Sequence, residues 1–203
     1  AVRDWLKPGM RIFDVGANIG YISLLLARAA GPQGSVTAFE ALPANIQRLQ
    51  ANLALNPAAG VTVLSAAVVD SSHPVTFYTH ASGSMGKAAG SAGREDQAYQ
   101  ASITVEGIAL DDYVYQQGNP APQAVKMDIE GGEVLALQGM KRLLRQDKPL
   151  LLIELHGEQA ARAAWQALSE AGYTIRRMQK GYPQVASLDE LDWKAYIVAV
   201  SPR

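Results

Sequence analysis

The sequence contains no cysteine. That excludes disulfides, thiolate zinc sites, cysteine nucleophiles and cysteine-held iron–sulfur clusters. It leaves the redox compartment open, because a chain without thiols suits either one. An excess of charge of one sign is also missing: 18 Lys and Arg stand against 19 Asp and Glu, a net charge of −1. The general basic footprint of a nucleic-acid binder is absent, and no nucleic-acid partner is expected. No apolar run approaches the roughly 18–20 residues that a membrane span needs. The longest, over residues 150–155, is of strand length and is broken by Glu154. Residues 1–7 lack the continuous apolar core of a signal peptide. They also begin without an initiator Met, so targeting is not read from them. We expect a cytoplasmic protein without a membrane span.

What is present is globular. Apolar residues make up 48% and charged residues 18%, and 203 residues suit a single domain over 1–203. Strand-like and helix-like segments alternate. Residues 11–15 follow a Pro8-Gly9 turn and read as a buried strand. A helix is expected over 21–30, closed by Gly31-Pro32. A second strand, 35–39, ends in Glu40. A helix follows from Pro43, with Ile46, Leu49 and Leu53 on one stripe, and stops before Asn56-Pro57. A third strand is expected over 61–69. This β-α-β-α-β order is the pattern of a parallel sheet covered by helices. The alternation resumes with a strand at 125–129, a helix over 133–144, a strand at 150–155, a helix over 158–171 and strands at 174–178 and 195–200. Strands at 74–79 and 102–107 frame residues 81–101, which are rich in Gly, Ser and Ala without apolar period. A structureless stretch of that length is either a functional lid or disordered; we expect an acceptor lid.

The first strand runs into Gly16-Ala17-Asn18-Ile19-Gly20 and then a helix. Glycines at such a turn let backbone approach a ligand, and the helix start offers free N–H groups. Glu40 lies at the spacing of a ribose-binding carboxylate. The pattern points to a nucleoside-containing cofactor at the carboxyl ends of the first two strands. A dinucleotide fingerprint needs a second glycine where this chain has Asn18, which weakens a pyrophosphate reading. A phosphate-free cofactor such as S-adenosylmethionine tolerates a side chain there. Its ammonium group would find Asp14 or loop carbonyls as partners.

The residues also resemble a known family. Phe13-Asp14-Val15-Gly16-Ala17-Asn18-Ile19-Gly20-Tyr21 is similar to the first motif of class I S-adenosylmethionine-dependent methyltransferases, and its Gly-Ala-Asn form resembles the FkbM family. Ala38-Phe39-Glu40-Ala41-Leu42-Pro43, Leu110-Asp111-Asp112-Tyr113, Ile153-Glu154-Leu155-His156-Gly157 and the hallmark Lys126-Met127-Asp128-Ile129-Glu130-Gly131-Gly132-Glu133 resemble further motifs of that family, in its order. The resemblance implies an α/β, Rossmann-like three-layer sandwich. Its seven-stranded, mostly parallel sheet has an antiparallel last strand. It implies an O-methyltransferase acting on a hydroxyl of a small metabolite or sugar, with S-adenosyl-L-methionine as cofactor and S-adenosyl-L-homocysteine as product. The cofactor would lie over Gly16, Ala17, Asn18 and Gly20, with Glu40 on the ribose and Ala66 and Ala67 beside the adenine; Asp14 and Asp128 complete the expected set. An NAD(P)-type oxidoreductase and a non-catalytic cofactor-binding module of the same fold are the rival readings.

Methyl transfer from a sulfonium needs a positioned nucleophile and somewhere for the hydroxyl proton to go. Asp128, Glu130 and His156 are the candidate catalytic residues. Asp128 and Glu130 would share one face if the fourth strand extends that far. These three could also bind a divalent ion, but their spacing is not diagnostic, and a metal is not predicted from it. Glu133 reads as a helix-capping acid. Lys126, in an otherwise apolar strand, needs a partner; Asp128, Glu130 or Glu154 is expected. His73 and His80 lie outside every motif. Trp165 reads as core or subunit contact, a homodimer being possible. Arg142, Arg145 and Lys148 read as a solvated helix end, and Arg176, Arg177 and Lys180 as exposed surface.

Overall fold

A computed structural model describes residues 1–57, 60–80, 86–92, 99–192 and 194–202. A short helix α1 (Val2–Trp5) precedes β1 (Arg11–Val15), α2 (Tyr21–Ala30), β2 (Ser35–Glu40), α3 (Pro43–Ala54) and β3 (Val61–Ser65). Both helices begin and end as their sequences dictate. Gly20 enters α2 at φ +86° and Gly31 leaves it at φ +67°, while Pro43 opens α3 where its missing N–H costs nothing. Next come β4 (Ala67–Val68), β5 (Val75–His80), β6 (Gly86–Ala88), β7 (Tyr99–Val105), β8 (Gly107–Ile108) and a π-helical turn over Asp112–Gln116. The chain then completes the main sheet with β9 (Ala124–Met127), α4 (Glu133–Gln138), α5 (Lys141–Gln146), β10 (Leu150–His156), α6 (Glu158–Glu170), β11 (Thr174–Arg177) and β12 (Lys194–Val200).

The main sheet has seven strands in the order β11-β12-β10-β9-β1-β2-β3. All neighbours are parallel except β12, which runs antiparallel to both β10 and β11. Strand alternation separates the two faces. Phe13, Val15, Met127, Leu151, Ile153 and Leu155 pack with α4, α5 and α6 on one side. Ile12, Val36, Ala124, Leu152 and Val198 pack with α1 and α2 on the other. The result is the expected three-layer sandwich. Strand order reverses between β1 and β9, and a crevice opens at the carboxyl ends of strands at such a switch point.

Four expectations need correction. The third strand is not continuous: it breaks after Ser65, and β4 pairs with β8 in a separate ladder. The helix expected over 133–144 is two helices, interrupted at Gly139 and Met140. A Cβ on Gly139 would stand 2.1 Å from the Val69 carbonyl oxygen, so the backbones touch there and the helix yields. The fourth strand stops at Met127 rather than reaching residue 129, and Glu130 adopts a left-handed φ of +52°. Finally, residues 81–101 are not structureless throughout. Gly86–Ala88 form β6, and β7 starts at Tyr99, so both join β5 in a three-stranded antiparallel sheet. The remainder of that expectation, residues 81–85 and 93–98, lies outside the described residues.

Candidate active site

A cleft of about 780 Å³ opens above the carboxyl ends of β1, β2 and β9. Gly16 makes its floor. A Cβ there would lie 2.0 Å from the Asp128 carbonyl oxygen, and φ is +78°, so glycine is demanded twice over. Asn18 follows at φ +51°. Left-handed backbone is uncommon outside glycine, and here two such residues, Asn18 and Glu130, both line the cleft.

Glu40 closes β2 at 7% exposure. One carboxylate oxygen accepts the Asn18 N–H at 2.8 Å; the other accepts the Leu42 N–H at 2.9 Å and the Asn45 amide at 3.3 Å. These bonds fix the carboxylate at the cleft wall and leave part of its roughly four-site acceptor capacity for a ligand. Ala41, Ala66, Ala67 and Val68 form a small apolar wall beside it.

The other end of the cleft is a cluster of acids around one histidine. β10 ends at His156, which is buried. Its Nδ1 lies 3.1 Å from Glu133 Oε1, and that oxygen also accepts the Ile129 N–H at 3.1 Å. Its Nε2 faces Glu154 at 3.3 Å and Asp128 and Glu130 at 3.8 Å each. Burial disfavours the charged ring, but Glu133, Glu130 and Asp128 together outweigh it and lift the His156 pKa above its ordinary value. Burial raises the Asp128 carboxyl, with Lys126 opposing. At Glu154 burial is outweighed by hydrogen bonds from Lys194 and Tyr196, and its pKa falls below the usual range.

The expected residues therefore divide. Gly16, Asn18, Glu40, Ala66, Ala67, Asp128 and Glu130 line the cleft, and His156 sits behind Asp128 and Glu130. Asp14, Ala17 and Gly20 do not line it. Asp14 is fully buried, accepting Ser23 Oγ at 2.6 Å and pairing with Lys126 at 3.0 Å. This corrects the expected partner of Lys126 and sets Asp14 beneath the cleft. Lys126 pairs with none of the three acids proposed for it, because the parallel register of β1 and β9 sets it beside Asp14. It then donates to the Gly16 carbonyl at 2.8 Å, which ties the pair to the glycine turn. Glu133 does reach back to backbone, as a capping acid would, but it also orients His156, a role its position alone does not reveal.

Sequence reasoning missed the wall contributed by the three-stranded sheet: Phe77, Gly86, Ala88 and Ser91. The Ser91 hydroxyl is buried with no hydrogen-bond partner among the described residues, and the neighbouring Ala92 N–H binds the Gly131 carbonyl at 2.9 Å. No motif in that Gly/Ser/Ala-rich stretch marks these residues. Asn45 had a fainter signal, a polar residue one helical turn beyond Glu40.

The charge of the lining is selective. Glu40, Asp128 and Glu130 are carboxylates, and no Lys or Arg lines the cleft among the described residues. Such a surface repels a pyrophosphate and favours a cofactor that carries positive charge. It fits S-adenosylmethionine, a nucleoside with a ribose diol for Glu40, a flat base for the alanine wall and a sulfonium for the acid end.

The Methyltransferase FkbM domain family matches residues 14–175. The chain belongs to the FkbM methyltransferase family. Its members depend on S-adenosylmethionine, and the NAD(P) reading has no support in these matches. The hexuronic acid methyltransferase AglP of Haloferax volcanii is 29% identical over 160 residues, which are 79% of this chain and 62% of that protein. The 31-O-demethyl-FK506 methyltransferase FkbM of Streptomyces tacrolimicus is 30% identical over 161 residues, covering 67% of this chain and 61% of that one. The chain thus spans about three fifths of the length of these relatives. The crystal structure of an FkbM methyltransferase from Methylobacillus flagellatus superposes with a TM-score of 0.60 at 22% identity, over 94% of this chain and 43% of that one. The fold is also that of Aeropyrum pernix fibrillarin with bound S-adenosyl-L-methionine, at TM-score 0.55, 14% identity and coverage of 96% and 67%. Among the described residues no helix is long and apolar enough to cross a membrane.

Proposed function

We propose that this domain transfers a methyl group from S-adenosylmethionine to a hydroxyl oxygen of a small metabolite or sugar. One observation carries the reading: a cleft joins a rigidly held ribose-type carboxylate, Glu40, to an acid-and-histidine cluster, with no cationic side chain lining it among the described residues. The hexuronic acid relative supports a sugar-like acceptor. In this reading residues 1–203 act as one domain, and the Phe77, Gly86, Ala88 and Ser91 wall forms the acceptor side.

The bound cofactor supplies a methyl already activated by its positive sulfur. The chain's own residues do the rest. Glu40 and the Gly16–Asn18 turn hold the nucleoside, and Ala66 and Ala67 face the base. Asp128 and Glu130 present negative charge to the sulfonium end. An alcohol is a poor nucleophile until its proton is drawn away. Asp128, Glu130 and His156 form the group that draws it, with Glu133 holding the imidazole in place. Ordering of this kind, with the oxygen about 3–3.5 Å from the methyl carbon, is a major source of acceleration.

The test is a transfer assay with isotopically labelled methyl donor and a panel of hexuronates, neutral glycosides and hydroxylated metabolites. Carboxylate and amine compounds serve as controls, and products are located by mass spectrometry. Label on a hydroxyl oxygen is expected. Label only on nitrogen or on a carboxylate would overturn the O-directed reading.

A further inference from the structure

We propose that Asp128, Glu130 and His156 hold a divalent cation at the acid end of the cleft, and that the acceptor hydroxyl is presented to the cofactor on that cation. The role in transfer rests on the function proposed above; the binding site does not.

The His156 side chain is 6% exposed, and its Nε2 is buried with no hydrogen-bond partner among the described residues. Its other nitrogen is committed. Nδ1 meets a fully buried Glu133 carboxylate, which only accepts, so Nδ1 carries the proton. In the neutral ring Nε2 then offers a lone pair. Three carboxylates lie around that nitrogen, Glu154 at 3.3 Å and Asp128 and Glu130 at 3.8 Å. Lone pairs facing lone pairs are repulsive; a cation between them turns every contact favourable. The attraction grows with the charge of the cation, so a dication satisfies these groups better than a proton.

The donor set is that of a metal site. One atom each from Asp128, Glu130 and His156 lie within 4.8 Å of one another. With bonds of ~2.1 Å, donors up to ~4.2 Å apart can share one ion; the 3.8 Å separations from Nε2 satisfy this, and a separation of up to 4.8 Å within the set has to close by ~0.6 Å on binding. Glu133 behind the ring is the carboxylate–histidine arrangement that orients metal-binding imidazoles. Glu154 Oε1 is already engaged by Lys194 at 2.6 Å and Tyr196 at 3.0 Å, and Lys126 pairs with Asp14, so Asp128 and Glu130 are the carboxylates left to a cation. Asp128 and Glu130 are partly exposed and line the cleft, which leaves the cation's outer side open to water or a hydroxyl. An imidazole with two carboxylates suits manganese- or iron-type dications.

In the transfer step the acceptor oxygen forms the new C–O bond while the C–S bond breaks. The C–S pair stays on sulfur as a thioether; with a cation bound, the three residues would acidify the hydroxyl through it instead of taking its proton themselves, and the proton leaves to water at the open side of the cluster. No oxidant or reductant is required.

The experiment titrates Mn²⁺ into the metal-stripped full chain without cofactor, reading free Mn²⁺ by electron paramagnetic resonance. Mg²⁺ and Zn²⁺ serve as competitors, and circular dichroism checks the fold of each variant. One bound ion per chain is expected. Glu130→Gln, at a partly exposed position, and Asp128→Asn should each weaken it at least ~10-fold, and Glu133→Gln by ~10–100-fold. His156→Ala should abolish it. No binding of any of the three ions to folded protein would overturn the site, as would binding indifferent to these variants. Binding of S-adenosylhomocysteine without metal would leave the proposed function standing and remove this inference. Metal binding without S-adenosylhomocysteine binding would do the reverse. Activity unaffected by chelation would overturn the presentation role, and activity lost on chelation and restored by Mn²⁺ would support it.

Discussion

The two ends of the cleft are built on opposite principles. At the Glu40 end the carboxylate is pinned by Asn18, Leu42 and Asn45 with acceptor capacity left for a ligand, and Gly16 fits against the Asp128 carbonyl with no room for a side chain. At the His156 end like charges face one another, and Nε2 has no hydrogen-bond partner among the described residues. The first end is rigid before anything binds. The second stores electrostatic demand that a ligand relieves. Recognition of an invariant cofactor calls for preorganisation, whereas activation of an acceptor calls for groups not yet compensated. The Asp14–Lys126 pair lies beneath both ends, joining the Gly16 turn to the strand that delivers Asp128.

That contrast can be broken most forcefully from below. Lys126→Met leaves Asp14 buried and unpaired, and should cost about 3–5 kcal/mol in denaturant unfolding. If the loss is under about 1 kcal/mol, the pair does not underpin the cleft as described. Next in size, Glu40→Ala removes the ribose acceptor at the rigid end. Loss of two charge-assisted bonds worth about 1.5 kcal/mol each should weaken S-adenosylhomocysteine ~100-fold, read by calorimetry. Third, Glu133→Gln acts only on the strained end. It should lower kcat ~10–100-fold while S-adenosylhomocysteine affinity stays within about 2-fold of the parent. Equal losses in both would erase the distinction between the ends. Smallest is Tyr196→Phe, which removes one exposed bond to Glu154. Its effect on stability should not exceed about 1 kcal/mol, and cofactor affinity should not change.

Much of this arrangement was legible in the sequence, for physical reasons. Glycines with required left-handed φ, a Pro-led helix and alternating apolar strands are local signals, and they place β1, α2, β2 and α3 within a residue or two. Glu40 was readable because its role depends on a fixed spacing from the glycine turn. Register is not local. The partner of Lys126 follows from which β9 residue lies beside Asp14, and no pattern in either strand encodes it. The break at Gly139 likewise depends on Val69, seventy positions earlier. The union of Glu133 with His156 needs β10 and α4 to be packed before it exists. The Gly86, Ala88 and Ser91 part of the wall had neither motif nor periodicity to announce it.

The central claim is that this cleft is a site for a cationic nucleoside cofactor anchored on Glu40. Calorimetric titration with S-adenosylhomocysteine tests it most directly, with NAD as comparator and Glu40→Ala as the variant. The account predicts saturable binding to the parent chain, weakened ~100-fold in the variant, and no binding of NAD. Well-folded protein that ignores S-adenosylhomocysteine, or that binds NAD instead, would contradict it.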